Sequence, residues 1–119
     1  MKKRIIVTGS EIQGSQLILT TGHPVAGLTP KGQMLVDSDN LSFVYLMEEE
    51  EEYTYVLMPE LVWADLKKGL DQSVAVFLES EGSKVELAGF REELGYLAEN
   101  IKGNGNYGDA MVSKVESIF

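Results

Sequence analysis

Leu41-Ser42-Phe43-Val44-Tyr45-Leu46-Met47, then Glu48-Glu49-Glu50-Glu51-Glu52, then Tyr53-Thr54-Tyr55-Val56-Leu57 is the stretch that decides the fold. Leu41, Phe43, Tyr45 and Met47 alternate with Ser42, Val44 and Leu46, and because both alternating sets are largely apolar the pattern predicts a strand covered on both faces. Tyr53, Tyr55 and Leu57 alternate in the same way. The glutamates between the two runs belong at a hairpin tip, where side chains fan into solvent and like charges repel least.

Working back from that hairpin, Asp37-Ser38-Asp39-Asn40 is a cluster whose side chains hydrogen-bond their own backbone, so it reads as the turn after a strand at Met34-Leu35-Val36. Residues 22 to 33 contain Gly22, Pro24, Gly27, Pro30 and Gly32 and predict a loop. Ile5-Ile6-Val7 and Gln16-Leu17-Ile18-Leu19-Thr20 predict two short strands, joined by a polar loop running from Gly9 to Gly14.

Working forward, Pro59 suits a first helical turn, where its missing N–H costs nothing, and Val62, Leu66 and Leu70 follow at helical spacing beside Trp63. A helix over about 59–70 is expected. Ser73 to Ser80 and Lys84 to Ala88 alternate around Glu81-Gly82-Ser83, which predicts a hairpin. Phe90, Leu94, Leu97 and Ile101 lie on one face of a helix that Gly103 can end in a left-handed residue. Asn106, with Asp109 three residues on, reads as the cap of a last helix carrying Met111, Val115 and Ile118. The order predicts a single α+β domain over residues 1–119: an antiparallel sheet of about six or seven strands, as a β-meander, then a helix, then a β-hairpin, packed with the C-terminal helices.

Composition narrows the function. The chain has 119 residues, no cysteine and one histidine, which removes disulfides, thiolate metal sites, a cysteine nucleophile and any multi-histidine centre, and fits a reducing cytoplasm. Lys and Arg number 10 against 19 Asp and Glu, for a net charge of −9, and three of the bases are adjacent as Lys2, Lys3 and Arg4. Such a chain repels phosphate backbones, so nucleic acid is not an expected partner, whereas a basic protein is. No window holds the ~18 apolar residues of a membrane span, and Thr8 to Glu11 interrupt the short apolar run after the basic start before it resembles an export signal. The expected location is the cytoplasm.

Three constellations are candidate sites. Glu48, Glu49, Glu50, Glu51 and Glu52 are the candidate surface for a basic partner, against the plainer reading of a solvated loop. Asp37 and Asp39 open like a calcium loop, but Leu41 and Ser42 stand where a ligand and a glycine are required, so they are left as weak metal ligands, an acid–base pair, or turn residues. Gly103-Asn104-Gly105-Asn106-Tyr107-Gly108 spells G-x-G-x-x-G, and Gly103, Gly105, Asn106 and Gly108 could cradle an anion. The string follows a helix and not a strand, which favours a link between two helices over a dinucleotide fingerprint. His23 is the one imidazole available as a base, and no nucleophile-elbow, zincin or P-loop string accompanies it.

From Leu35-Val36-Asp37-Ser38-Asp39-Asn40-Leu41-Ser42-Phe43 through Tyr96-Leu97-Ala98-Glu99-Asn100-Ile101 and Gly103-Asn104 to Asn106-Tyr107-Gly108, the chain resembles the YjbL-like proteins, an uncharacterised family from bacilli. The likeness spans about residues 33 to 119. It implies a bacterial cytosolic protein standing as a complete small domain, and it carries no activity, ligand or catalytic residue with it. The leading expectation is a non-catalytic protein-interaction domain with an acidic surface, needing no cofactor and with self-association left open. The alternative is a small enzyme or a metal- or anion-binding protein using Asp37 and Asp39 or the loop from Gly103 to Gly108.

Overall fold

The computed structural model describes residues 3–119. Its strands are β1 (Lys3–Gln13), β2 (Gln16–Thr21), β3 (Thr29–Asp37), β4 (Ser42–Glu49), β5 (Glu52–Pro59), β6 (Ala75–Ser80) and β7 (Ser83–Glu86), and its helices are α1 (Trp63–Gln72), α2 (Phe90–Ile101) and α3 (Asp109–Ile118). The strands form one seven-stranded sheet in the order β3-β4-β5-β1-β2-β6-β7. The α+β class and the strand number agree with the sequence reading. The purely antiparallel pairing does not: β1 runs parallel to β5, with Lys3 beside Thr54 and Ile6 beside Leu57, and β2 runs parallel to β6. The reason is that β1 lies in the middle of the sheet. The β1–β2 hairpin is inserted between the β3–β5 meander and the β6–β7 hairpin, so one parallel ladder forms on each side of it.

β1 is also longer than expected, because the stretch from Gly9 to Gln13 is strand and not loop. A bulge at Thr8 makes this compatible with burial: Val7 pairs with Thr21 but Gly9 with Thr20. The extra residue reverses the alternation, so Ile5 and Val7 face the core before the bulge and Ile12 packs against it after. Gly9 is needed there, since a Cβ would stand 2.8 Å from Thr20 Oγ1.

Pro59 ends β5 opposite Ser42 instead of opening a helix. A single 3₁₀ turn over Glu60–Val62 follows, and α1 begins at Trp63, whose indole N–H donates to the Met58 carbonyl at 3.0 Å and pins the corner. After α2, Asn104 and not Asn106 supplies the cap: its side-chain oxygen accepts the Asn106 N–H at 3.1 Å over a short 3₁₀ turn, and α3 starts after Gly108.

The helix-side residues form one core. Phe43, Tyr45, Met47, Val56 and Met58 of the meander join Leu17, Leu19, Val76 and Leu78 with Trp63 and Leu66 of α1, Phe90 and Leu94 of α2 and Met111 and Val115 of α3. Phe43 packs between Trp63 and Phe119, with ring centres 5.0 and 5.6 Å away. The molecule measures 38 × 36 × 21 Å, a slab whose thin direction fits one sheet with helices on one side.

Candidate functional site

The other side of the slab carries the most distinctive surface. Leu35 of β3 pairs with Val44 of β4, Val44 with Leu57 of β5, and Leu57 with Ile6 of β1. Paired residues project to the same face, so these four side chains form an apolar row across four strands. Leu46, Tyr55 and Arg4 form the next row in the same register. Val44, Leu46 and Leu57 are buried yet lie outside the helix-side core cluster, whereas Leu35 and Ile6, at the ends of the row, are 46% and 51% exposed. This face therefore has the composition of an interior and, among the described residues, no helix over it. The expectation that β4 is covered on both faces is met in burial, with the helix-side core on one side and Val44 and Leu46 buried on the other.

The β3–β4 turn borders this face. Asp37 Oδ1 accepts the Asn40 N–H at 3.3 Å and its Oδ2 accepts the Asn40 side-chain amide at 2.8 Å. Leu41 is left with φ 46° to rejoin the strand. Asp37 and Asp39 line a hollow of about 370 Å³ together with Leu35, Val44, Tyr55 and Arg4. Among the described residues no group of three or more His, Asp or Glu side chains is gathered as a metal site.

The acidic run does sit at a hairpin, with Glu49 opposite Glu52 and a tip of Glu50 and Glu51. Strand alternation divides the run instead of gathering it. Glu48 lies 3.6 Å from Lys31 and Glu49 lies 3.1 Å from Lys3, while Glu52 makes an interaction of its own. Glu50 and Glu51 form the turn itself, at φ 50° and 67°. Both are in the left-handed region, which a two-residue hairpin of this hand requires and which Asn-Gly adopts far more readily.

In the loop from Gly103 to Gly108 the backbone donors are largely turned inward. The Gly103 N–H donates to Glu116 Oε2 at 2.9 Å, and those of Asn104, Asn106, Tyr107 and Gly108 donate to Ile101, Asn104 or Gly105. The carboxylate of Glu116 thus occupies the first place an anion would take. The loop links two helices, as its position after α2 implied.

Two features escaped the sequence reading. Tyr45 and Trp63 bond to main-chain carbonyls from inside the core, and only the folded topology brings those carbonyls near. His23 lies beside Lys3, Glu49 and Thr54 along a second hollow, a grouping made by the β2–β3 connection folding back over β1 and β5. No helix among the described residues is long and apolar enough to cross a membrane.

Comparison with known proteins places no chemistry on these surfaces. Residues 5–119 match the model of UPF0738, a family of unknown function. Similar proteins include a UPF0738 protein of Bacillus licheniformis, 44% identical over 100% of this chain and 99% of its own, and one of Bacillus velezensis at 46% over the same shares. The UPF0738 protein YjbL of Bacillus subtilis is 44% identical, again over 100% of this chain and 99% of its own. The likeness thus reaches the N-terminal strands as well as residues 33 to 119. No solved structure matches.

Proposed function

The chain belongs to the UPF0738 family, whose function is unknown, and on that footing we propose that it is a non-catalytic cytoplasmic interaction domain that docks a basic protein on the helix-free face of β3, β4, β5 and β1. The observation that carries this reading is the row Leu35–Val44–Leu57–Ile6 on a face without a helix. A sheet that is apolar on both faces has an energetic reason to gain a third layer, and covering a half-exposed Leu or Ile contributes about 1 kcal/mol each.

The chemistry of the partner follows from the border of that face. Asp37 and Asp39 line the hollow beside this face, and Glu48, Glu50 and Glu51 lie at the end of the β4–β5 hairpin, so a segment presenting apolar side chains flanked by Lys or Arg would complement it. Such a border speeds encounter and makes it salt-dependent, while the apolar row sets the lifetime of the complex. The tip supports the same reading: two glutamates are kept in a backbone conformation that suits neither of them, which is sensible where their charge is used.

The test compares three immobilised proteins in a bacillus lysate: the wild type, Leu35→Glu with Ile6→Glu, and Glu50→Lys with Glu51→Lys. A basic protein held by the wild type and released from both variants, with an affinity that falls as salt rises once the pair is purified, is the expected result. Equal retention by the Leu35→Glu/Ile6→Glu protein overturns the proposal.

A further inference from the structure

The second hollow carries an inference that is independent of the docking face. It has a volume of about 470 Å³, within the range of small-molecule sites, and lies against the helix-side surface of β1 and β5, under the β2–β3 connection. Lys3 and Thr54 are neighbours in the parallel β1–β5 ladder and both line it, with Ile5 and Leu28 as apolar wall and His23 and Glu49 completing the polar part. Glu49 holds the Lys3 ammonium at 3.1 Å through Oε1, while its Oε2 lies so close to Gly27 that a Cβ there would come within 3.2 Å. The connection is thereby seated against the carboxylate, and the hollow is a built feature of the fold.

Thr54 is the observation that points to a ligand. The residue is 1% exposed, and its hydroxyl makes no hydrogen bond among the described residues. Ser80 Oγ is the only side-chain oxygen of the described residues both sealed from solvent and unpartnered, so the Thr54 hydroxyl is reached through the hollow it lines. An almost buried hydroxyl without a partner is an unused donor in an otherwise satisfied interior. The Lys3 ammonium, from the neighbouring strand position and lining the same hollow, has three N–H donors, of which Glu49 takes one.

We propose that this hollow binds a small organic carboxylate with a short apolar body, its carboxylate held by Lys3 and the Thr54 hydroxyl and its hydrocarbon laid against Ile5 and Leu28. Two donors lining one hollow can hold a carboxylate against the opposing charge of Glu49, and the apolar wall selects against inorganic ions. His23 stands at the same hollow, where an imidazole N–H adds a further donor. Because the chain carries a net charge of −9, binding is weak at low salt and relies on these local groups.

Hexanoate is the probe, with hexan-1-ol and inorganic phosphate as controls, read by calorimetric titration and by the melting temperature. The expected result is saturable one-to-one binding of hexanoate with a raised melting temperature, and none with the alcohol or phosphate. Thr54→Val keeps the shape and removes the hydroxyl, and Lys3→Met keeps the stem and removes the charge; each weakens hexanoate by about tenfold. Ala26→Phe fills the hollow from the exposed connection and abolishes binding without touching either donor, which keeps the test decisive where Thr54→Val folds poorly. No saturation of the wild type by about 50 mM hexanoate, equal binding of hexan-1-ol, or wild-type affinity in the Lys3→Met or Ala26→Phe protein overturns the inference. None of these outcomes bears on the docking face, which lies on the other side of the sheet.

Discussion

Tyr45 and Ala88, 43 residues apart in sequence, are joined by the phenol O–H, which donates to the Ala88 carbonyl at 2.5 Å while the same oxygen accepts the Gly32 N–H at 3.2 Å. The ring stacks on Phe90 with centres 6.0 Å apart, so one side chain ties β4 to the bend of β3 and to the start of α2. Burial pushes the phenol above its ordinary pKa of 10.0, with the nearby Glu86 acting in the same sense and the Gly32 hydrogen bond opposing. The native state therefore keeps the proton after the unfolded chain has begun to release it. The stability this contributes is whole below about pH 10 and is lost as pH climbs through the raised native value. Tyr45→Phe should be less stable by about 1–2 kcal/mol near neutrality. In urea melts, the wild type should lose that advantage above about pH 10, where the two curves converge.

The hairpin tip should be improvable. Glu50→Asn with Glu51→Gly places in the left-handed positions the residues that occupy them with least strain, and should raise stability by about 1 kcal/mol in chemical denaturation. The same pair of changes removes two charges from the border of the proposed docking face. A protein that becomes more stable and binds the proposed basic partner more weakly is the expected combination.

Gly9→Ala should cost about 1–2 kcal/mol, because its Cβ meets Thr20 Oγ1 at 2.8 Å. Thr20 is exposed and can turn its side chain only by giving up its present rotamer. Adding Thr20→Ala to Gly9→Ala should recover most of the loss. A double-mutant cycle on melting temperatures checks the coupling.

The two faces of the sheet should respond differently to substitution. Trp63→Ala empties the site against Phe43 and Phe119 and removes the indole bond to Met58, and should cost about 3–5 kcal/mol. Leu35→Lys and Ile6→Lys, at half-exposed ends of the apolar row, should each change stability by about 0.5 kcal/mol or less. Urea unfolding of the three proteins distinguishes the face packed by helices from the half-exposed ends of the apolar row.

What could be read before the structure was what depends on neighbours in sequence. Phe90, Leu94, Leu97 and Ile101 announce α2 by spacing alone, and the double apolar alternation from Phe43 to Met47 marks β4 as a strand with two faces to cover. The longer reach of β1 was hidden because Thr8 inserts one residue and reverses the alternation, so the polar residues after Gly9 resemble a loop when they are the far half of a strand. The parallel ladders are choices among distant partners, and no local pattern at Ile6 or Leu57 expresses that they will adjoin. The candidate sites divide in the same way. A run of five glutamates looks like one surface on paper, but strand geometry sends Glu48 toward Lys31 and Glu49 toward Lys3 and leaves the tip as its remaining charge. The hollow at Thr54 needs the fold of the β2–β3 connection and has no sequence signature.

The central place of β1 also governs how the chain comes together. Its hairpin with β2 closes through Gly14 and Ser15 and can form within microseconds, but its opposite edge has to wait for Thr54 to Leu57, as β2 has to wait for Ala75 to Glu79. Contacts so remote in sequence slow the search to milliseconds or longer, and during that delay a strand carrying Ile5, Ile6 and Val7 presents unpaired amides to every other copy in solution. Recovery from denaturant should accordingly fall as protein concentration rises, and the refolding vessel, more than the finished molecule, is where this architecture is vulnerable.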